Sequence, residues 1–221
     1  MFALLFGSIG SIVETSELQR RSFNMAFAEH GLAWDWDVGQ YKSLLVKAGG
    51  VARIHDYASA ANETVDAKAI HDIKTRLFLD LLQQAELEPR AGVMDLLSFA
   101  KDSGMKTGLV TSTQKATTVM ILDKLGLPEF DVVTHRGLGL PDKPDPAIYA
   151  YALEMLSVSP NRAIAVEDNI DGAIAARDAG LAVLGYAGQF GTSALGDITR
   201  TVNDLGRAGI DALQTLVRDM A

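Results

Sequence analysis

The sequence predicts an α/β fold: a parallel sheet with helices on both faces, interrupted by an inserted all-helical block. Three observations carry this. Residues 2–16, FALLFGSIGSIVETS, read as a buried strand running into a turn and a helix. Residues 17–87 show helical periodicity and no strand signal. After the break at Glu88-Pro89-Arg90-Ala91-Gly92, short apolar strands alternate with helices, which calls for a parallel sheet with helical crossovers. Strand one precedes the helical block and the other strands follow it. The expected division is therefore a core of residues 1–14 and 89–221 and a helical cap of residues 15–88, with chain crossings near Glu14 and Glu88.

Each element has its own warrant. The opening run MFALLFGSIGSIV lacks a basic leader and a small-residue cleavage pattern and is too short to span a bilayer, so it reads as a core strand. Leu18–His30 is helical, with Leu18, Phe23, Ala26 and Phe27 on one face. Asp37–Ala48 and Val51–Ala61 are two further helices separated by Gly49-Gly50. Asp66–Ala85 is a long amphipathic helix, because Ile70, Ile73, Leu77, Leu81 and Leu82 recur at three- and four-residue spacing. Beyond the break come helix Val93–Ser103, strand Lys106–Thr111, helix Lys115–Leu125 and a strand at Phe130–Thr134. Helix Asp145–Leu156, strand Ala163–Val166, helix Ile170–Ala179 capped by Gly180, and strand Leu181–Tyr186 follow.

Bulk composition narrows the function. The 221 residues carry a net charge of −8, with 48% hydrophobic and 22% charged residues. That is the profile of a globular protein with a substantial core. No positive excess is available to replace counterions, which argues against nucleic acid or an anionic membrane as partner. A small anionic ligand held by one or two local cations stays open, and the sequence names no protein partner. Cysteine is absent, so there is no thiolate chemistry and nothing requires an oxidising compartment; a cytoplasmic setting is expected.

In parallel sheets of this kind ligands bind at the carboxyl ends of the strands. The candidates there are Gly7-Ser8-Ile9-Gly10-Ser11, Thr111-Ser112, Lys143 in a loop, and Glu167-Asp168. Each alone has an ordinary structural meaning. A strand-end threonine serves a turn or a cap, a loop lysine is solvated, and an acidic pair starts a helix.

Together, and in this order, they resemble a known family. The runs LVTSTQ, DKPDPAIYAYAL and AIAVEDNIDGAIAARDAGL are closely similar to the haloacid dehalogenase (HAD) superfamily, in its β-phosphoglucomutase/phosphoglycolate phosphatase branch. The segments RRSFNMAFAEHGLAWDW, VKAGGVARI and KTRLFLDLLQQAELEPRAGV look most like the sugar-bisphosphate phosphatases associated with Calvin-cycle genes, which act on compounds such as xylulose 1,5-bisphosphate. The resemblance implies a Rossmann-like core with a helical cap inserted after the first strand. It also implies four motifs. An Asp-x-Asp pair attacks phosphorus and then handles protons. A Ser/Thr, here Thr111, and a Lys, here Lys143, bind the phosphoryl group. An acidic pair, here Glu167 and Asp168, holds Mg²⁺ together with the nucleophile. Arg53 falls on a cap position that contacts substrate.

The first motif departs from the family. The nucleophile position falls on Gly7 and the acid/base position on Ile9, and no Asp occurs before Asp35. The Glu and His that follow in related phosphatases fall on Ser16 and Gln19, and the cap Lys and Glu fall on Val51 and Ala52. Ser8 and Ser11 lack an adjacent base, and strand alternation points Ser8 to the other face. None of the four histidines falls in a family motif. The resemblance therefore implies a sugar-phosphate phosphatase or phosphomutase homologue without its nucleophile, impaired in catalysis and binding a small phosphorylated metabolite. The alternative is an active phosphohydrolase that uses Mg²⁺-bound water without a covalent intermediate. Mg²⁺ binding is expected to be weakened and to lean on Glu167, Asp168 and the Ile9 carbonyl. Asp at both positions 7 and 9 is expected to restore metal binding more readily than turnover. Lys143 is expected to turn inward and pair with Glu167 or Asp168, partly solvated.

Overall fold

A computed structural model describes residues 1–45, 49–186, 195 and 199–220. The chain divides into two compact units, Met1–Glu14 with Leu87–Ala221, and Thr15–Glu86. The first unit is built on a six-stranded sheet of β1 (Ala3–Phe6), β2 (Lys106–Leu109), β3 (Val132–Val133), β4 (Ala163–Glu167), β5 (Ala182–Gly185) and β6 (Arg200–Thr201). All pairings are parallel and the order is β3-β2-β1-β4-β5-β6. β1 lies in the middle, with Leu5 opposite Gly108 on one side and Ala165 on the other. It is buried from end to end, as a strand covered on both faces must be.

Helices in this unit are α1 (Ile9–Ile12), directly after β1, and then, beyond the second unit, α6 (Val93–Asp102), α7 (Lys115–Leu125), α8 (Ala147–Leu156), α9 (Ile170–Asp178) and α10 (Arg207–Asp219). One core cluster joins Leu5 and Ala165 from the sheet, and Val110 just past β2, to Ile148, Tyr149 and Ala152 of α8 and Ala175 and Ala176 of α9. Gly180, at φ +88, ends α9 in a left-handed conformation that glycine adopts without strain.

The second unit consists of α2 (Ser16–Glu29), α3 (Val38–Leu44), α4 (Gly50–Ala60) and α5 (Ala67–Gln84), with no strand among its described residues. The side chains of Asp37 and Asp66 cap α3 and α5, accepting from the amides of Gln40 and Ala69. Its core is aromatic: Trp36 lies edge-on to Phe27 at 4.6 Å and tilted against Phe23 at 5.0 Å. Asn24 holds the Trp36 loop by exchanging hydrogen bonds with that residue's backbone N–H (2.9 Å) and carbonyl (3.0 Å).

The elements read from sequence are present with shifted ends. β2 stops at Leu109 rather than Thr111, and β3 keeps only Val132–Val133, because an edge strand is paired on one side alone. The helix read as Asp37–Ala48 runs Val38–Leu44, and residues 46–48 lie outside the described residues. β6 and α10 extend the alternation past Tyr186. Among the described residues no helix is long and apolar enough to cross a membrane.

Candidate functional site

The site at the carboxyl ends of the central strands belongs to the first unit. β1 ends at Phe6, and the Gly7 amide continues the ladder by donating to the Val166 carbonyl at 2.8 Å. The strand ends there and α1 begins at Ile9, although the Ser8 backbone itself is still extended (φ −159, ψ 165). Ser8 nevertheless reaches the acidic pair, rather than being lost to the opposite face. It is the N-cap of α1, accepting from the Ser11 amide at 2.9 Å, and its hydroxyl donates to Asp168 Oδ1 at 2.8 Å. Asp168 Oδ1 also accepts from Asn169 Nδ2 at 2.8 Å.

Lys143 and Glu167 form the centre. Lys143 Nζ lies 2.6 Å from Glu167 Oε1, and the pair is buried: the lysine side chain is 9% exposed and the glutamate 0%. The expected partial solvation does not hold. The ammonium also donates to the Gly7 carbonyl and reaches the Val110 carbonyl at 3.1 Å and the Tyr149 hydroxyl at 3.4 Å. Three N–H groups thus have four oxygens in reach, and none is left over. Tyr149 donates its own hydroxyl to Glu167 Oε1 at 2.7 Å. Burial, and then the Glu167 charge, push the Tyr149 pKa well up, which keeps that proton in place. Burial also raises the Glu167 carboxyl, opposed by the Lys143 ammonium that pulls it down.

Gly7 leaves more than a missing carboxylate. A Cβ built on it would collide with Glu167 Oε1, Glu167 Cδ and the Tyr149 hydroxyl. The same carboxyl group lies against Gly172, and Asp168 Oδ2 lies against Gly10. Glycines let the acidic pair come down onto the backbone. For Asp at position 7 to help complete a metal site, as expected of the variant with Asp at 7 and 9, Glu167 and Tyr149 must first give way, since they fill the space a Cβ there would take. Ile9, at the other departed position, is the first residue of α1 and is buried.

Thr111 is buried at the end of β2. Its hydroxyl bonds to Thr113 Oγ1 at 2.9 Å and accepts from the Thr113 amide at 3.1 Å. Arg53 belongs to the other unit. There its Nε donates to the Leu44 carbonyl at 2.8 Å and its guanidinium lies 5.9 Å from the rings of both Phe23 and Tyr41. Burial lowers its pKa.

Two residues were not singled out from the sequence: Tyr149, described above, and Lys74. Lys74, on α5, is only 7% exposed and sits 4.9 Å from the Phe23 ring and 4.8 Å from the Phe78 ring, donating to Gln19 Oε1. Burial, helped by the nearby Arg53 charge, lowers its pKa to about 7. Its position was a signal: it stands four residues after Ile70 and three before Leu77, on the apolar face of the helix.

A parallel sheet whose central strand end meets a threonine, a loop lysine and an acidic pair defines the class of phosphate-ester hydrolases built on this core. The comparisons specify it. The haloacid dehalogenase-like hydrolase family model matches residues 5–180, and the chain belongs to that family. It is similar to protein CbbY of Cereibacter sphaeroides, 36% identical over 186 residues covering 81% of each chain. It is also similar to a phosphorylated carbohydrates phosphatase of Thermotoga maritima, 27% identical over 183 residues covering 82% of each. Among solved structures, CbbY from Rhodobacter sphaeroides in complex with phosphate superposes with a TM-score of 0.80 at 32% identity, over 95% of this chain and 97% of that one. A mutant of that protein in complex with xylulose-(1,5)bisphosphate gives the same TM-score, identity and coverage.

Proposed function

We propose that this protein binds a small phosphorylated sugar or organic acid and does not hydrolyse it. The observation that carries the reading is the filled nucleophile position: Glu167 and Tyr149 occupy the space above Gly7 where an attacking carboxylate would stand. Ile9 supplies no proton donor. Sites of this kind act as a unit, and removing one member costs nearly as much as removing all.

Recognition rests on buried cations held close together. At the strand ends, Lys143 is paired with Glu167, and Asp168 adds a second carboxylate. Thr111 and Lys143, the phosphate-binding positions that the resemblance implies, are committed to the protein's own oxygens. In the helical unit, Arg53 and Lys74 flank the same Phe23 ring, and Lys74 donates to the neutral Gln19 Oε1. Two cations desolvated side by side raise each other's cost, and a phosphate dianion relieves it. That relatives are phosphatases, and that CbbY binds phosphate and a sugar bisphosphate, supports a phosphorylated metabolite as the ligand class.

The test pairs calorimetry with phosphate release on a panel of sugar mono- and bisphosphates. Binding without release is the expected result, and Lys74→Met should weaken binding at least tenfold. A kcat above about 1 s⁻¹, at the low end of ordinary enzymes, would overturn the reading in favour of a metal-activated water route.

A further inference from the structure

The family implies Mg²⁺ at these strand ends, and the fit of the donors decides whether the ion belongs here. Mg²⁺ demands near-octahedral oxygen ligands at about 2.0–2.1 Å. Three groups were available in principle. Glu167 Oε1 already accepts from Lys143 and Tyr149, and its whole carboxylate is sealed between Gly7 and Gly172. Asp168 Oδ1 accepts from Ser8 and Asn169, while Oδ2 is pressed against Gly10. The Ile9 carbonyl takes the Val13 amide at 3.0 Å. Gly7 brings no further carboxylate. Among the described residues no group of three or more His, Cys, Asp or Glu side chains is gathered to hold a metal. The residues present do not fit the ion.

They do fit a different cation. Two backbone carbonyls (Gly7 and Val110), the Glu167 carboxylate and the Tyr149 hydroxyl converge on Lys143 Nζ. This is an all-oxygen cradle, and an ammonium already sits in it. With Lys143 at +1 and Glu167 and Asp168 at −1 each, the cluster keeps one net negative charge. A divalent ion would have to approach an ammonium at close range to collect it, against direct repulsion.

We propose that the Lys143 ammonium is the resident cation of this site, standing in for the divalent metal, so that the protein takes up no Mg²⁺ there. The assignment deepens the non-catalytic reading above and rests on it for the identity of the site, but not for the ligand.

The experiment is a Mn²⁺ titration of the full chain followed by electron paramagnetic resonance, alongside thermal unfolding in EDTA and in Mg²⁺. The expected result is no one-to-one Mn²⁺ uptake at submillimolar concentration and no shift of the unfolding midpoint with Mg²⁺. One-to-one uptake that Glu167→Gln abolishes would overturn the proposal. In Lys143→Met the cradle loses its cation, so Mg²⁺ should now raise the unfolding midpoint or recover a folded signal; a folded variant as indifferent to Mg²⁺ as the wild type counts against the stand-in. If that variant folds in neither buffer, the wild-type titration decides alone. Calorimetry with inorganic phosphate separates the two readings. Phosphate bound only in the presence of Mg²⁺ overturns the Lys143 assignment and spares the ligand reading. No phosphate binding, with no Mn²⁺ uptake, supports the assignment and counts against the ligand reading in the helical unit.

Discussion

Gly7→Asp is expected to destabilise the protein by about 3–5 kcal/mol, combining overpacking with an uncompensated buried charge, and to restore no turnover. The backbone at Gly7 is outside the left-handed region, so the cost is not one of main-chain strain. It is one of space and charge. The new Cβ collides with the Glu167 carboxyl and the Tyr149 hydroxyl. Glu167 cannot swing clear without leaving Lys143, its counter-ion at 2.6 Å, inside a fully buried setting. The new carboxylate then shares a single ammonium with the old one, and like charges at that range cannot both be kept. Gly7→Ala separates the two causes: it adds volume alone and should cost about 1–3 kcal/mol. Denaturant unfolding of both variants checks the prediction. A Gly7→Asp protein as stable as the wild type would show that Glu167 leaves freely and that the filled site is not built as described.

That result bears on how a family resemblance is used. Residue by residue, the sequence located the strand ends, and Thr111, Lys143, Glu167 and Asp168 do lie there. It also marked the departures at Gly7 and Ile9 as losses of function. It did not mark Gly7 as a gain of space, because a motif position records chemistry and not volume. Once the Cβ is gone, the nearest flexible buried groups close the gap, as dense interiors require. Those groups are Glu167, a metal ligand only by the resemblance, and the core tyrosine Tyr149.

The rest of the fold was legible to the degree that it depends on local pattern. α7 runs over Lys115–Leu125, the range that periodicity and the closing glycine predict. Asp66 starts α5 as a cap, directly readable from its place before an apolar-periodic run. The Ser8–Asp168 hydrogen bond joins residues 160 apart and depends on where β1 ends, which no local pattern states. The edge strand β6 is two residues, too short for an alternation signal, whereas β3, read from the sequence as Phe130–Thr134, keeps only Val132–Val133. Lys74 was passed over for a different reason. Long charged side chains on amphipathic helices ordinarily snorkel to water, and only the packing of Phe23 and Phe78 around it prevents that here.

Lys74→Met is expected to stabilise the protein, and by an amount that depends on pH in a defined direction. The group's folded pKa is about 7, lowered by burial and by Arg53, against an ordinary lysine value of 10.5. Above the ordinary value the amine is neutral in both states and costs nothing. Between that value and pH 7 the unfolded chain binds the proton and the folded one releases it, so wild-type stability falls as pH falls. Below pH 7 both states are protonated, and the full cost of a buried ammonium is present, of the order of 5 kcal/mol from the size of the shift. Methionine fills nearly the same volume, keeps the contacts with Phe23 and Phe78, and has no proton to lose. The gain over wild type should therefore be largest at or below pH 7 and shrink steadily toward pH 10.5. Arg53 on α4 and Gln19 on α2 are present in both proteins, so the difference between the two stability curves isolates Lys74. Denaturant midpoints from pH 6 to pH 10 provide the measurement. Parallel curves, or a variant less stable than wild type at pH 7, would show that the Gln19 contact and local hydration carry the ammonium without cost. The same variant that gains stability is expected to lose affinity for the phosphorylated ligand proposed above.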